Sequence, residues 1–527
     1  MTDSTPRDNR QIARAAGTVI LAFIFGQLAG LVRNILVARA FGASAGLDAF
    51  LAANRVSETL FNLIAGGALG SAFIPIFTMF LAREEKPAAW RLASAVANLV
   101  VLIMSALALL AAIFSPLIVR YLLAPGFAAD PAQFSLTVSL LRIQLISAVL
   151  FGLSGLVMGI LNSHQIFLIP ALAPSMYQFG LIFGVLVLAP HYGIYGLAYG
   201  VVLGSAAHLL IQIPSLLRRR GTYSLTLGWG NAAVGEVIRL MGPRLLGVAV
   251  VQLNFWVNTW LASKMISGSV SGIYYGFALM IMAQAAIAQS VATAAMPTFA
   301  AQYALGKKDA IRHSLAATLR GVLFLALPAS VGLILLRFPI IQLLYQRGSF
   351  TPDDTRLVAW ALLWYAAGLV GHSVLEILAR TFYAMHDTRT PVTVGVVAMG
   401  LNVVFSILFS SWFSHLGWLP LGGLALANSL ATALEAITLL TLMRRRLDGI
   451  HGREVARGFA TAVFASLVMG IVLTLWLHWV SSAHLLITAL GGVFTGGLVY
   501  GLVLVIFRTS EVRSVFSILR NRLKRIG

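Results

Sequence analysis

Long apolar runs separated by short polar breaks fill the chain from residue 15 to residue 507. An α-helix needs about 20 apolar residues to cross the hydrocarbon core of a bilayer. Runs of that kind predict about fourteen spans, near 15–40, 48–81, 92–118, 134–161, 167–189, 193–216, 244–263, 270–304, 314–344, 358–384, 391–413, 419–442, 458–480 and 485–507. The implied fold class is an all-α polytopic membrane protein. Few polar residues interrupt these runs, so each interruption is informative. The first stands in "FGQLAGLVRNILVARAFG" at 25–42, which places Arg33 and Asn34 well inside a span. A charge near mid-span costs at least ~2.5–3.5 kcal/mol on insertion scales, so Arg33 requires a partner or a purpose.

The runs repeat. "SAFIPIF" at 71–77 is echoed by "TAAMPTF" at 293–299, which sets Pro75 against Pro297, 222 residues apart. "LLAPGF" at 122–127 is echoed by "LLYQRGSF" at 343–350, with Phe127 and Phe350 separated by 223. "GILNSHQIFLIP" ends at Pro170 and "RTFYAMHDTRTP" at Pro391, 221 apart, while "LIQIPSLLRRR" and "LLTLMRRR" end at Arg220 and Arg446, 226 apart. Four matches in one order at nearly one spacing mark a duplication. The predicted organisation is an N-lobe at 1–220 with helices 1–6, a cytoplasmic linker at 221–235, a C-lobe at 236–446 with helices 7–12, and helices 13–14 with a basic cytoplasmic tail at 447–527. Six spans per lobe preserve orientation, so the repeat is parallel, an arrangement characteristic of transporters that work by alternating access.

Composition changes this picture little and charge sharpens it. Hydrophobic residues make up 59% of the 527 positions and charged residues only 10%, with a mean hydropathy of +0.90. A water-facing surface needs far more charge, which excludes a soluble globular protein. Cysteine is absent, so disulfides and thiolate chemistry are excluded. The net charge of +20 raises nucleic acid as a partner, but its placement argues against it. Most Lys and Arg, including Arg83, Lys86, Arg218 to Arg220, Lys307, Lys308, Arg389 and Arg444 to Arg446, fall in the segments predicted to be cytoplasmic. That is the positive-inside asymmetry, and it sets both termini in the cytoplasm. The tail "RNRLKRIG" reads as a segment lying against anionic lipid headgroups. "MTDSTPRDNRQIARAAG" lacks the apolar core and cleavage site of a signal peptide, so the first span is expected to be retained.

The remaining intramembrane polar residues sort by their neighbours. Arg142, Arg320 and Arg337 lie near span ends, where a long side chain reaches the interface. Arg55 and Glu58 are three apart and Glu376 and Arg380 four apart, so each pair shares a helix face and can neutralise itself. His372 precedes Glu376 by one turn, which makes His372, Glu376 and Arg380 a candidate coupling stripe or the lining of a wet cavity. Arg33 has no acidic residue three or four positions away, so it meets water, Asp48 or another lobe, or binds an anionic ligand. The longest outer loops, "RYLLAPGFAADPAQF" and "YQRGSFTPDDTR", are too short for the catalytic loop of a polytopic glycosyltransferase. No enzyme activity, cofactor or metal site is expected.

Several stretches carry a family resemblance that extends over nearly the whole chain. They are "ARAFGASAGLDAF" at 38–50, "GGALGSAFIPIF" at 66–77, "APGF" at 124–127, "IPALAPSMYQ" at 169–178, "GSVSGIYYG" at 268–276, "YQRGSFTPDDT" at 345–355 and "FYAMHDTRTP" at 382–391. By these the chain resembles the MurJ/MviN lipid II flippases of the multidrug/oligosaccharidyl-lipid/polysaccharide exporter superfamily. The resemblance implies a fourteen-helix bacterial inner-membrane protein that moves undecaprenyl-diphosphate-linked peptidoglycan precursor outward. Its implied partners are that lipid-linked glycan, membrane lipids and other cell-wall synthesis proteins. It further implies a solvated cavity whose cations hold the diphosphate, with the lipid tail in a groove beside the last two helices. Arg33, Asp48, Gln27, Asn34, Asn62 and Arg55 are the candidate substrate contacts on that basis. Gly26, Gln27, Asn34, Phe61, Asn62, Gly66, Phe277, Ala278 and Ile281 stand where the family usually carries polar or charged residues, which predicts a charge-poor cavity. Export of another polyprenyl-linked glycan and a non-transporting scaffold of the same fold are the alternatives.

Overall fold

The computed structural model describes residues 6–64, 70–480 and 484–507. The break expected within "AGGALGSA" and the basic tail lie largely or wholly outside those residues. The first half of the chain forms α1 Pro6–Phe41, α2 Ala45–Ile64, α3 Gly70–Ala82, α4 Lys86–Ile113, α5 Ser115–Leu117, α6 Pro131–Ser163, α7 Leu168–Phe183, α8 Ala189–Tyr192, α9 Ile194–Leu210 and α10 Ile213–Leu217. The second half forms α11 Ala232–Ala262, α12 Ser269–Gln284, α13 Ser290–Ala304, α14 Lys308–Leu335, α15 Arg337–Tyr345, α16 Pro352–Ala384, α17 Arg389–His415, α18 Leu421–Arg446, α19 Gly452–Trp479 and α20 Gly492–Ile506. Among the described residues, 12 helical stretches are long and apolar enough to cross a membrane. The expected span at 48–81 is not one of them, because α2 carries Asp48, Arg55 and Glu58 and α3 has only 13 residues. The expected span at 244–263 falls on α11, which ends at Ala262, and is likewise not one of the 12.

Local chemistry recurs at the offset of the duplicated motifs. α4 and α14 begin at 86 and 308 and end at 113 and 335, 222 apart at both ends. α6 and α16 begin at 131 and 352 and end at 163 and 384, 221 apart at both ends. α6 and α16 both open on a side-chain cap. Asp130 accepts a hydrogen bond from the Ala132 amide, and Thr351 forms a reciprocal capping box with Asp354; a proline follows each cap. A capping oxygen satisfies an amide that the first turn leaves open, and proline loses nothing there because its position needs no N–H donor. The turns between helices match as well. Gln165 and His386, 221 apart, both adopt φ of +59°, and Glu84 and Gly306, 222 apart, take +60° and +67°.

The helices pack into two compact units, one running to Ser271 and including Gly348–Phe350, the other comprising Gly272–Arg347 and the residues from Thr351 on. The division falls beyond the 221–235 linker because α11 packs against α2, α3 and α4. Val234 and Val237 of α11 are buried with Phe73, Phe77 and Leu92. In the same unit α7 and α9 meet backbone to backbone. A Cβ on Gly180 would lie 2.2 Å from Gly204 Cα, and one on Gly184 would lie 2.8 Å from the Gly196 oxygen. Small residues at such a seam let two helices approach closely, as membrane helices do where packing replaces the hydrophobic effect. In the second unit α18 lies against α16 and α17, and α19 against α14. The last contact buries Ala462, Ala465, Met469 and Leu473 with Phe324 and Leu336.

Two glycines of the echoed loops make matching contacts within the first unit. The Gly126 amide donates to Ser263 Oγ at 3.2 Å, and a Cβ on Gly126 would lie 2.0 Å from the Ser263 carbonyl oxygen. A Cβ on Gly348, where φ is +63°, would lie 2.5 Å from the Arg39 oxygen, to which the Ser349 amide donates at 2.9 Å. Gly126 thus sits on the segment just after α11, and Gly348 on the last turn of α1.

The turn after α16 carries a titratable contact outside the spans. Asp387 accepts from the Thr390 amide at 3.0 Å, from Thr390 Oγ1 at 2.7 Å, and from the Arg446 guanidinium. Burial alone would raise its carboxyl, but the Thr390 and Arg446 interactions win and hold it below the ordinary value of 3.8. A depressed folded-state pKa stabilises the fold above the unfolded value, and that contribution fades as pH drops through the folded value. Asp387→Asn is therefore expected to lower the unfolding temperature of the purified protein near neutrality, and the gap should close as pH falls below 3.8. A gap unchanged by pH in thermal unfolding scans would remove the carboxylate from this account.

Candidate substrate site

The candidate site residues of the first unit fall into three groups. Arg33 lies half-buried on α1, and its guanidinium donates to the neighbouring Asn34 Oδ1 at 2.7 Å. Asn34 is itself buried, at 9% exposure, so the amide fixes the orientation of the guanidinium. On the same helix Gly26 would carry a Cβ 3.2 Å from Ser175 Oγ, and Gly30 one 3.7 Å from Gln178, so small residues let α1 approach α7 closely. Gln27 is exposed.

Asp48 is placed as a structural anchor. It lies in the first turn of α2 at 2% exposure. Its Oδ2 accepts from the Gly268 amide at 2.7 Å, and its Oδ1 from the Ser271 amide at 2.7 Å and Ser271 Oγ at 2.6 Å. Both oxygens are therefore committed to the start of α12, which joins the "GLDAF" and "GSVSG" stretches. The carboxylate is neither open to substrate nor paired with Arg33. Asp48→Ala would leave three buried donors without an acceptor, at ~1–3 kcal/mol for each unsatisfied group. It is expected to lower the unfolding temperature clearly, with Asp48→Asn less damaging; equal stability of Asp48→Ala and wild type in thermal scans would refute the anchor.

The third group lies between α2 and α11. Arg55 pairs with Glu58 at 2.9 Å, as their spacing predicts, and Asn54 donates to the same carboxylate at 3.0 Å. The Arg55 guanidinium also lies over the Phe255 ring, 4.9 Å from its centroid. One turn on, Thr59 Oγ1 accepts from Trp256 Nε1 at 2.8 Å and lies 3.4 Å from Gln252 Oε1. Phe255, Trp256, Gln252 and Thr59 were not legible as a group, because no local spacing relates residues 193 or 197 apart. Asn62 is half-buried on the same helix. Its neighbour Phe61 packs on Phe151 at 4.8 Å between centroids, and Phe151 in turn on Tyr177 and His208. An aromatic chain thus occupies a position where a charge was expected.

In the second unit the predicted stripe divides. Glu376 pairs with Arg380 at 2.8 Å, whereas His372 Nε2 lies 3.0 Å from Asn428 Oδ1 on α18. Phe277, another position of expected charge, packs on Tyr365 at 5.2 Å between centroids. The end-of-span arginines of both units also take partners. Arg142 donates to Ser115 Oγ at 3.0 Å, Arg337 donates to the Ile334 carbonyl, and Arg320 pairs with Glu454 at 2.8 Å.

Comparison with known proteins places this geometry in context. The model of the family described as "Lipid II flippase MurJ" matches residues 37–494. The lipid II flippase MurJ of Burkholderia cenocepacia is 30% identical over 478 residues, covering 88% of this chain and 89% of that protein. A probable lipid II flippase MurJ of Vibrio cholerae is 28% identical over 515 residues, covering 90% and 93%. Among solved structures, one of lipid II flippase MurJ in an inward closed conformation superposes with a TM-score of 0.80 at 26% identity, covering 93% of this chain and 98% of that one. An inward-facing multidrug resistance transporter of the MATE family, at 17% identity and a TM-score of 0.68, shares the fold.

Proposed function

The chain belongs to the lipid II flippase MurJ family, and from that premise we propose that Arg33 holds the diphosphate of an undecaprenyl-linked peptidoglycan precursor as the protein carries it from the inner to the outer leaflet. The protein is a multi-pass membrane transporter of the bacterial inner membrane and not an enzyme. The observation that carries the assignment is a guanidinium held half-buried within a span. Guanidinium stays protonated and offers a planar fork of donors that matches phosphate oxygens in pairs. Asn34 orients it, and Asn62 and Gln27 complete a polar, largely uncharged surface for the glycan and peptide. Arg55 is assigned to the rim of the same site, its charge moderated by Glu58.

His372, Glu376 and Arg380 are assigned to coupling in the second unit, as two separate polar pairs, His372 with Asn428 and Glu376 with Arg380. Both termini lie in the cytoplasm in this reading, in keeping with the distribution of Lys and Arg. Export of a different polyprenyl-diphosphate glycan is the second reading, favoured by the aromatic packing of Phe61 and Phe277 where charge is usual.

Complementation decides between them. Expression of this chain in a strain depleted of its own lipid II flippase is expected to restore growth and normal shape. Failure at normal membrane levels would overturn lipid II as substrate and leave the second reading.

A further inference from the structure

A second polar cluster lies away from the proposed substrate site, at one end of α14 and α19. His313 sits in the second turn of α14, His451 immediately precedes α19, and Glu454 lies in the first turn of α19. The two imidazole rings stack with centroids 4.5 Å apart and an interplanar angle of 30°. His451 Nδ1 is 3.7 Å from Glu454 Oε1. One ligand atom from each of the three residues lies within 4.8 Å of the other two.

Neighbouring charges are arranged so that the cluster is not buried under them. Arg312 bonds Asp309 and the Leu447 carbonyl and approaches Asp448, which also faces Lys308. Arg320 takes Glu454 Oε2 at 2.8 Å, which fixes the carboxylate and leaves Oε1 toward His451. Two exposed imidazoles and a carboxylate supply borderline nitrogen and hard oxygen donors. That set suits a late first-row divalent ion with its remaining positions held by water. Calcium and magnesium prefer all-oxygen shells and are poorly matched.

We propose that His313, His451 and Glu454 form a binding site for a divalent transition metal such as Zn²⁺, which clamps the start of α19 to α14. The clamp joins one of the duplicated helices to a helix outside the duplication, alongside the apolar contact of Met469 and Leu473 with Phe324 and Leu336. Small shifts of the two exposed imidazoles bring them to coordination distance around Glu454 Oε1, whose carboxylate Arg320 holds in place.

The test uses the full-length chain in detergent, with any affinity tag removed and metal stripped by chelator. Co²⁺ is titrated as a spectroscopic substitute, followed by Zn²⁺ competition and thermal unfolding with and without the metal. One equivalent of Co²⁺ should bind with intense visible absorption and be displaced by Zn²⁺, and the metal should raise the unfolding temperature. His313→Ala and His451→Ala should each weaken binding at least tenfold and cancel the thermal shift, while unfolding like wild type in chelator. Glu454→Gln should weaken binding and leave the absorption altered. Saturable binding that is the same in the His313→Ala, His451→Ala double variant, or no saturable binding in wild type, overturns the site.

Discussion

Arg33→Ala is expected to abolish rescue of a flippase-depleted strain while the protein reaches the membrane at wild-type levels. The side chain is half-buried and bonds the adjacent Asn34, and alanine at this position is a good helix former, so α1 should persist. The substitution does remove the cation assigned to the diphosphate. A hydrogen bond to a charged group contributes ~1.5–3 kcal/mol, and a bidentate contact more, so affinity should fall by one to two orders of magnitude. Arg33→Lys keeps the charge but loses the planar fork, and partial rescue is expected from it. Asn34→Ala should be milder, because it removes only the orienting acceptor. Full rescue by Arg33→Ala at matched expression would move the anion site elsewhere.

Gly126→Val should prevent the protein from folding. The added Cβ would lie 2.0 Å from the Ser263 oxygen, 2.4 Å from its carbonyl carbon and 2.7 Å from Lys264 Cα, all of them backbone atoms that cannot rotate away. Gly348→Val meets the Arg39 oxygen at 2.5 Å and carries a positive φ besides. Backbone overlap of this kind, added to about 1–3 kcal/mol for a left-handed non-glycine residue at 348, exceeds what a marginally stable membrane protein tolerates. Gly247→Ala, whose Cβ meets nothing within 4 Å, is the matched control. Size-exclusion profiles of fluorescent fusions should show a monodisperse peak for the control and none for the two valine variants. A normal peak for Gly126→Val would mean that the loop is free to leave the end of α11.

How much of this was legible before the structure depends on sequence separation. Most of the helices and the duplication follow from apolar runs and repeated motifs, whereas the caps Asp130 and Thr351, which recur at the duplicated offset, came only with the structure. The pairs Arg55 with Glu58 and Glu376 with Arg380 were readable, since helical geometry relates residues three or four apart. Asp48 was not. Its partners lie 220 and 223 residues away, and nothing in its neighbourhood distinguishes an anchor from a substrate contact. His313 and His451 likewise meet only through the packing of α14 on α19. The aromatic filling around Phe61 was visible as missing charge, but not as a chain of rings reaching His208.

The paired loop contacts at Gly126 and Gly348 bear on descent. Each loop belongs to one repeat and rests on the end of the opening helix of the other, with Gly126 against Ser263 and Gly348 against Arg39. If the duplication arose by fusion of two copies of a half-length chain, the two contacts descend from one contact made twice, and a substitution at that glycine would have altered both at once. The contacts now differ in chemistry, the Gly126 amide donating to a serine hydroxyl and the Ser349 amide to a main-chain carbonyl.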